Sequence, residues 1–343
     1  MLQDLHQRLA ALESSHDPGG MKPVMLRALT DLFISLPHHT REEIDQFAEI
    51  GGRLIEDVDA DAQIAAARKL APYPLTPPAI IERLQACGGL AAATTLQLVP
   101  SIDRARLIAA VAQGDAQLAA GVARRAGLDD DIVASLAERP EFDVLVGLAE
   151  NADARLAPHQ IARLAQRARG HEKLAKALLA RGLSPAEATP LFLYADAVMR
   201  ANILLHARGA SLGRIGVDGD GPLPTALIEI EEHACARDWS RFAFRLSLTL
   251  GVRIEDVRRA MGDATGETLA LALAAAGAPS NLAARVFMCR EPAIAHSFTK
   301  IQALATLVES LTQEEARALV GAMFEATPAA GAPRRPGWHL PQF

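Results

Sequence analysis

The sequence predicts an all-α protein, made of a right-handed helical-repeat solenoid and a smaller helical C-terminal module that follows it. Half of the 343 residues are hydrophobic, but only 4% are aromatic. Ala and Leu, which are strong helix formers, therefore supply most of the core. Runs of β-branched residues of the kind that form strands are nearly absent. Signals for the start of a helix also recur along the chain at nearly constant spacing.

The first segment, residues 1–58, is predicted to form N-terminal helices. Its beginning carries one apolar stripe at helical spacing, formed by Leu2, Leu5, Leu9 and Leu12. Further on, Thr40 and Glu43 have the spacing of a capping box, in which each side chain bonds the other residue's backbone N–H. This box predicts a helix that starts after Thr40.

A repeat follows over residues 59–208. Each unit has a helix-start signal, and the five signals are Pro78, Arg104, Asp130, Pro158 and Pro185, separated by 26, 26, 28 and 27 residues. Eight residues before the signals the position is apolar in four of five cases, and the exception, Glu150, lies beside Ala149. Each unit is typical of a helix, a tight turn and a second helix, the plan of HEAT-like repeats, whose stacking buries a continuous core. The alternative is a globular bundle of five unrelated helical hairpins, which nearly constant spacing disfavours.

Three further segments complete the chain. Residues 209–224 are rich in Gly and Pro and are predicted to be a loop between modules. Residues 225–326 return to amphipathic helices, with a capping box from Thr312 to Glu315. Residues 327–343 contain four prolines and two glycines and are predicted to be a flexible tail.

Several packing motifs resemble those of a known family. They are Leu70-Ala71-Pro72 followed by Pro77-Pro78-Ala79-Ile80, the set Leu148, Asn151 and Ala154, and the run from Leu178 to Ser184. Residues 48–204 resemble alphaproteobacterial HEAT-like repeat proteins that are classed as a domain of unknown function. Residues 238–276 are similar to the C-terminal part of the same proteins. The resemblance implies a helical-repeat fold and no established activity, so it supplies no catalytic residues.

Composition limits the partners and the compartment. The net charge of −6 disfavours attraction of the whole surface to nucleic acid or anionic lipid. The N-terminus lacks the apolar core of a signal peptide, and no apolar run reaches the roughly 18 residues that a membrane span needs. The three cysteines, Cys87, Cys235 and Cys289, are far apart in sequence, so we expect small buried hydrophobic side chains rather than a zinc site or a disulfide framework. We therefore expect a cytoplasmic protein.

The motifs that usually indicate enzyme chemistry fail on spacing. His38 and His39 are adjacent, so on a helix they would diverge by about 100°, and we expect them in a loop before Thr40. Residues 218–221 begin like a calcium loop, but Pro222 occupies a ligand position. Residues 209–214 lack the Lys-Ser/Thr of a P-loop. We therefore expect no catalytic residues, no cofactor and no metal.

One stretch is strongly basic. Residues 155–181 contain seven Lys and Arg and a single acid, Glu172, whereas residues 101–150 contain nine acids and five bases. Adjacent zones of opposite charge can select a partner, although a solvated face with internal ion pairs is the alternative. We expect partner binding by Arg155, Arg163, Arg167, Lys173, Lys176 and, in the tail, Trp338 and Phe343.

The favoured hypothesis is a non-enzymatic scaffold or adaptor, with a regulatory role, that binds another protein on its repeat surface. A second hypothesis is a helical-repeat nucleic-acid-binding or base-repair protein that uses the basic stretch, which would require strongly salt-dependent binding. A third is a HEAT-like lyase or ligand carrier, whose residues would converge only in the fold. We expect neither nucleic acid nor a membrane as the partner, and a homo-oligomer stays open.

Overall fold

The computed structural model describes residues 21–209 and 223–326. Within these ranges the regular structure is helical, and the single extended pairing is an isolated antiparallel bridge between Val252 and Ala326. The prediction of an all-α protein is confirmed. In the same ranges no helix combines the length and the apolar composition that crossing a membrane requires.

The chain divides into two compact units, Met1–Leu164 (unit 1) and Ala165–Phe343 (unit 2). The boundary falls inside the predicted repeat array of residues 59–208. The predicted loop and tail lie almost wholly at residues 210–222 and 327–343, outside the described ranges. The segment boundaries given above therefore stay predictions.

Within residues 21–164, unit 1 consists of short helices joined by turns. They are α1 (Met21–Ser35), α2 (Arg41–Asp57), α3 (Ala60–Leu70), α4 (Pro78–Ala86), α5 (Gly89–Leu98), α6 (Arg104–Ala112), α7 (Ala116–Ala123), α8 (Asp130–Glu138), α9 (Phe142–Glu150) and the first part of α10 (Pro158–Arg167).

The helix starts that the repeat predicted are confirmed. Pro78, Arg104, Asp130 and Pro158 are the first residues of α4, α6, α8 and α10, and Pro185 opens a helix of unit 2. The polar residue found eight positions before Pro158 is also explained, because Ala149 is buried whereas Glu150 is exposed. The apolar position has shifted there by one residue, which keeps the buried face continuous.

The helices of unit 1 form two rows. Each odd-numbered helix from α1 to α7 packs against the odd-numbered helix that follows it. In the second row α2 contacts α4 and α6 contacts α8, and each helix also packs against its neighbour in the chain across most of the turns. The first two described helices, α1 and α2, pack within these two rows in the same way as the later ones.

The odd-numbered row is packed closely because its side chains are small. Ala91, Ala92 and Ala93 of α5 are buried, as are Ala119 and Ala120 of α7. A Cβ atom added to the neighbouring glycine of α7, Gly121, would lie 2.3 Å from the carbonyl oxygen of α5 residue 93. Such a distance is far below contact, so only glycine permits this approach of the two backbones.

Aromatic rings pack against one another in the core between α1 and α2. The ring of Phe33 on α1 stacks on Phe47 of α2 with centroids 3.8 Å apart, and on His39 with centroids 4.0 Å apart. The His39 ring nitrogen Nε2 lies 3.3 Å from the hydroxyl of Tyr73. His38 and His39 lie between α1 and α2, in the loop that the sequence predicted. His39 thus has a packing role in this core.

Unit 2 continues with α10 and then contains α11 (Glu172–Leu179), α12 (Pro185–Ala188), α13 (Ala197–Gly209), α14 (Thr225–Cys235), α15 (Trp239–Leu250), α16 (Ile254–Met261), α17 (Glu267–Ala276), α18 (Ser280–Met288), α19 (Pro292–Ala295), α20 (Phe298–Glu309) and α21 (Gln313–Met323). Two 3₁₀ helices, Ala168–Gly170 and Thr189–Tyr194, lie between the earlier ones.

The centre of unit 2 is α17. Every residue from Thr268 to Ala276 is buried, and α15, α16, α20 and α21 pack around this helix. An apolar run of Leu and Ala is therefore a core helix surrounded by other helices, as expected for a helix that is hydrophobic on all sides.

The capping boxes predicted at Thr40 and Thr312 are confirmed, and Ser184 forms a third. Thr40, Ser184 and Thr312 each accept a hydrogen bond from the backbone N–H three residues later, where Glu43, Glu187 and Glu315 return the bond. Each box satisfies two backbone donors that the first turn of a helix would otherwise leave unpaired.

Candidate interaction surface

In the odd-numbered row, side chains tie α9 to the end of α7 and α7 to the end of α5. Asn151, directly after α9, donates from Nδ2 to the carbonyl oxygens of Ala123 (2.8 Å) and Arg125 (2.7 Å) at the end of α7. Arg125 in turn donates to the carbonyl oxygens of Leu96 (2.9 Å) and Val99 at the end of α5. The last carbonyls of a helix have no partner within it. Here the following repeat supplies the partner.

The even-numbered row has the same kind of tie. Arg139, directly after α8, donates to the carbonyl oxygens of Val111 (3.1 Å) and Gly114 (3.2 Å), at the end of α6. Its guanidinium is held by Glu141, with Nη2 2.9 Å from Oε1. Burial lowers the pKa of Arg125, whose tie has no such carboxylate. Arginine is suited to both positions because its planar fork presents several donors in fixed directions.

Ion pairs run between repeats on the exposed side of the even-numbered row. Arg83 of α4 reaches Glu56 of α2, with Nη1 2.9 Å from Oε1. Arg104 of α6 reaches Asp129, with Nε 3.0 Å from Oδ2. These pairs are exposed, so each contributes at most about 1 kcal/mol. Together, these pairs neutralise arginine charges with carboxylates of the same unit.

Two of the predicted partner-binding residues, Arg155 and Arg163, lie in unit 1. Arg163 of α10 forms a two-pronged ion pair with Glu138 of α8, in which Nη2 lies 2.6 Å from Oε2. This pair continues the ladder between repeats. Arg155, in the turn before α10, is exposed and makes no ion pair with the part of the chain that the structure describes. Both cations are exposed, and Arg155 is the one without an ion pair among the described residues.

The other predicted cations lie in unit 2. Arg167 is half-buried, whereas Lys173 and Lys176 of α11 are exposed. Lys176 pairs with Glu172 one turn earlier, with Nζ 2.6 Å from Oε1, and this contact lowers the pKa of Glu172. Lys173 has no ion pair within residues 21–209 and 223–326. The two tail residues, Trp338 and Phe343, lie outside these ranges.

Unit 2 contains a buried polar cluster that sequence analysis missed. Arg200 of α13 has an exposed fraction of 6%. Its Nη1 lies 3.0 Å from Oδ2 of Asp263 and 2.9 Å from Oε2 of Glu267, and its other nitrogens donate to the carbonyl oxygens of Leu193 and Ala195. Every arm of the guanidinium thus has an acceptor, which is the condition for burying a charge without a large penalty.

Asp263 also starts the central helix. It accepts hydrogen bonds from the backbone N–H of Thr268 (3.2 Å) and from its hydroxyl (2.7 Å). Burial acts to raise the pKa of Asp263, but the bonds from Thr268 and the charge of Arg200 outweigh burial, and the pKa is lowered. A perturbed carboxylate in a cleft is a mark of catalysis. This one is occupied in joining α13 to the start of α17.

A second buried carboxylate holds the end of the described chain. Asp256 of α16 is 1% exposed and contacts Arg259 and, with Oδ2 3.6 Å from Nε, Arg253. It also accepts from the backbone N–H of Glu325 at 2.9 Å. Arg169 donates to the neighbouring carbonyl oxygen of residue 324 at 3.0 Å. These contacts fix the segment from which residues 327–343 continue.

No group of three or more His, Cys, Asp or Glu side chains with the geometry of a metal site occurs among the described residues. The calcium-like residues 218–221 lie outside them. One expectation about the cysteines is wrong: Cys235 is exposed, and Cys87 and Cys289 are half-buried rather than fully buried. Two of these thiols are neighbours, as described below.

Comparison with known families adds one match. Residues 91–213 match the model of the family described as "Uncharacterised protein conserved in bacteria (DUF2336)". The matched segment begins in α5 and includes α13, so it contains Arg125, Asn151 and all five predicted cations of the basic stretch. No curated protein matches the chain. No solved structure matches it either.

Proposed function

We propose that the protein is a non-enzymatic scaffold or adaptor with a regulatory role, which binds another protein on the surface of its helical repeats. The supporting observation is the stacking of α1 to α9 in two rows, in which Arg125, Arg139 and Asn151 tie α7, α8 and α9 to the helices before them in the same row. We propose further that these rows are a right-handed HEAT-like solenoid. Such arrays present extended surfaces that suit macromolecular partners.

The use of the polar groups supports binding rather than catalysis. Asp263 and Arg200 satisfy each other, and Asp256 is covered by Arg259 and by the N–H of Glu325. Glu43 and Glu187 have lowered pKa values because they close capping boxes. In each case the charge serves the fold, and a pocket that converges on a substrate is not required to explain it.

Arg155 in unit 1 and Lys173 in unit 2 are the cations that suit a partner. Both are exposed, and neither is neutralised by an ion pair within the described residues. An unpaired surface cation attracts an acidic segment and sets its register, chiefly by raising the association rate. The chain's own charge of −6 opposes a polyanion such as DNA. We therefore propose an acidic segment of a protein as the ligand of each residue.

The test uses the full chain with a tag, in extracts of the native cell. Proteins captured by the wild type are compared with those captured by Arg155→Glu and, separately, by Lys173→Glu. The matched controls are Arg68→Glu in unit 1 and Arg258→Glu in unit 2, both exposed arginines. We expect a partner whose Kd, measured with purified proteins, rises about tenfold in a test variant, which corresponds to about 1.4 kcal/mol. The controls should retain it.

Two results would contradict the proposal. If no protein depends on either residue, the predicted surface is wrong. If duplex DNA instead binds at physiological salt and Arg155→Glu abolishes that binding, the nucleic-acid hypothesis replaces the scaffold.

A further inference from the structure

Two of the three cysteines lie at the ends of helices that pack side by side in unit 2. Cys235 is the last residue of α14, and Cys289 directly follows α18. The two helices are in contact, and an ion pair fixes their register, since Nη2 of Arg285 lies 3.0 Å from Oε2 of Glu231. Each cysteine is four residues beyond its member of this pair. Four residues are about one helical turn, so both cysteines leave their helices on the side that faces the other helix.

A second contact joins the two segments after the cysteines. The guanidinium carbon of Arg290 lies 4.9 Å from the centroid of the Trp239 ring. Arg290 also donates to the carbonyl oxygen of Met261. The two segments of the chain are therefore held together by one contact before the cysteines and by another after them. The helices run in the same direction here, because residue numbers rise together from the ion pair to the ring contact.

Cys235 lies close enough to Cys289 to perturb its thiol. Burial is the largest cause that raises the pKa of Cys289, and the charge of Cys235 and a side-chain hydrogen bond with it raise this pKa further. Cys235 is exposed whereas Cys289 is half-buried. Cys235 is thus open to a small reagent, whereas Cys289 is partly covered.

We propose that Cys235 and Cys289 form a dithiol site that hydrogen peroxide converts to an intramolecular disulfide. The Cys235 sulfur, as thiolate, attacks one peroxide oxygen and the O–O bond breaks. This gives a sulfenic acid on Cys235 and a hydroxide that takes up a proton to become water. The Cys289 sulfur then attacks the Cys235 sulfur, the S–O bond breaks, and the hydroxyl leaves as water with the Cys289 proton. Two thiols are oxidised, and one peroxide is reduced to two waters.

The disulfide would join α14 to α18 covalently. A cross-link between residues far apart in sequence stabilises the native state mainly by restricting the unfolded chain. Oxidation would therefore add a covalent bond to two helices that are otherwise held by packing and an ion pair. Its effect falls on α14, which follows residues 210–222 and lies at the start of the C-terminal group of helices.

The experiment treats the full chain with hydrogen peroxide and counts free thiols by alkylation and mass spectrometry. We expect two of the three thiols to disappear with a mass loss of two hydrogen atoms, and a peptide map that links Cys235 to Cys289. A thiol reductant should restore both. The oxidised protein should melt higher by about 5 °C or more.

Serine variants test the order of events. Cys87→Ser is the matched control and should form the same disulfide, because Cys87 lies in unit 1. Cys289→Ser should stop at a sulfenic acid on Cys235 that dimedone traps, and Cys235→Ser should give no intramolecular disulfide. The proposal is overturned if the wild type keeps all its thiols or forms only disulfides between chains. It is equally overturned if Cys87 supplies one of the linked sulfurs.

Discussion

At the scale of single residues, the fold depends on charges that are buried together. Arg200 and Asp263 are each almost inaccessible, with side-chain exposed fractions of 7% and 5%. Removal of one partner of such a pair leaves the other charge in a medium that solvates it poorly. The pair is thus a point at which a small change in covalent structure has a large effect on stability.

We predict that Asp263→Ala lowers the free energy of unfolding by about 3–5 kcal/mol, because Arg200 keeps its burial but loses its main carboxylate. Arg258→Ala, an exposed arginine on α16 in the same unit, is the control and should change it by less than about 0.5 kcal/mol. Urea unfolding followed by circular dichroism measures both. A loss for Asp263→Ala no larger than that of the control would show that the cluster contributes nothing.

The same residue gives the stability a pH dependence with a definite sign. The folded-state pKa of Asp263 is lowered, so its contribution is complete above the ordinary Asp pKa of about 3.9 and is lost as the pH falls below it. The slope of unfolding free energy against pH below about 4 should therefore be smaller in Asp263→Ala than in the wild type.

At the scale of elements, small residues set the distance between helices of the odd-numbered row. We predict that Gly121→Ala destabilises the protein by about 1–3 kcal/mol, since the new Cβ would meet a backbone oxygen of α5 at 2.3 Å and a backbone cannot move aside cheaply. By helix propensity alone, the same change should raise the free energy of unfolding by about 1 kcal/mol. The sign of the measured change therefore shows which of the two effects is larger.

Gly321 of α21 is the matched control. It also lies within a helix, but a Cβ added there would have nothing within 4 Å. Gly321→Ala should raise the free energy of unfolding by about 0.5–1 kcal/mol. If both substitutions change stability in the same direction, close approach of α5 and α7 is not what glycine provides at position 121.

These elements show what the sequence could and could not predict. Helix starts such as Pro78 and Pro185 were predicted, because proline at the first helical position acts locally. The partners of Arg125, Asn151 and Arg163 were not, because two of them bind backbone carbonyls, which carry no residue identity, and the third pairs with a glutamate 25 residues away. The contact between Cys235 and Cys289 escaped for the same reason, as it depends on how α14 and α18 pack.

At the scale of the whole molecule, many charged side chains of the described residues are used in helix caps, ties and ion pairs. We predict that the purified protein contains only substoichiometric zinc and calcium, because a resident ion needs several ligands around one point. His39 is engaged by Phe33 and Tyr73. Elemental analysis of protein prepared without chelator tests this, and about one equivalent of either metal per chain would contradict it.

The ties of unit 1 all point in one direction. Arg125, Arg139 and Asn151 each bind carbonyls that come 25 to 29 residues earlier in the chain. A ribosome makes the chain from its N-terminus, so the end of each helix emerges before the side chain that completes it. The hydrogen bonds to the carbonyls of Leu96 and Val99 can therefore form only once Arg125 has been synthesised. Where such a tie occurs, the later helix pair completes the earlier one.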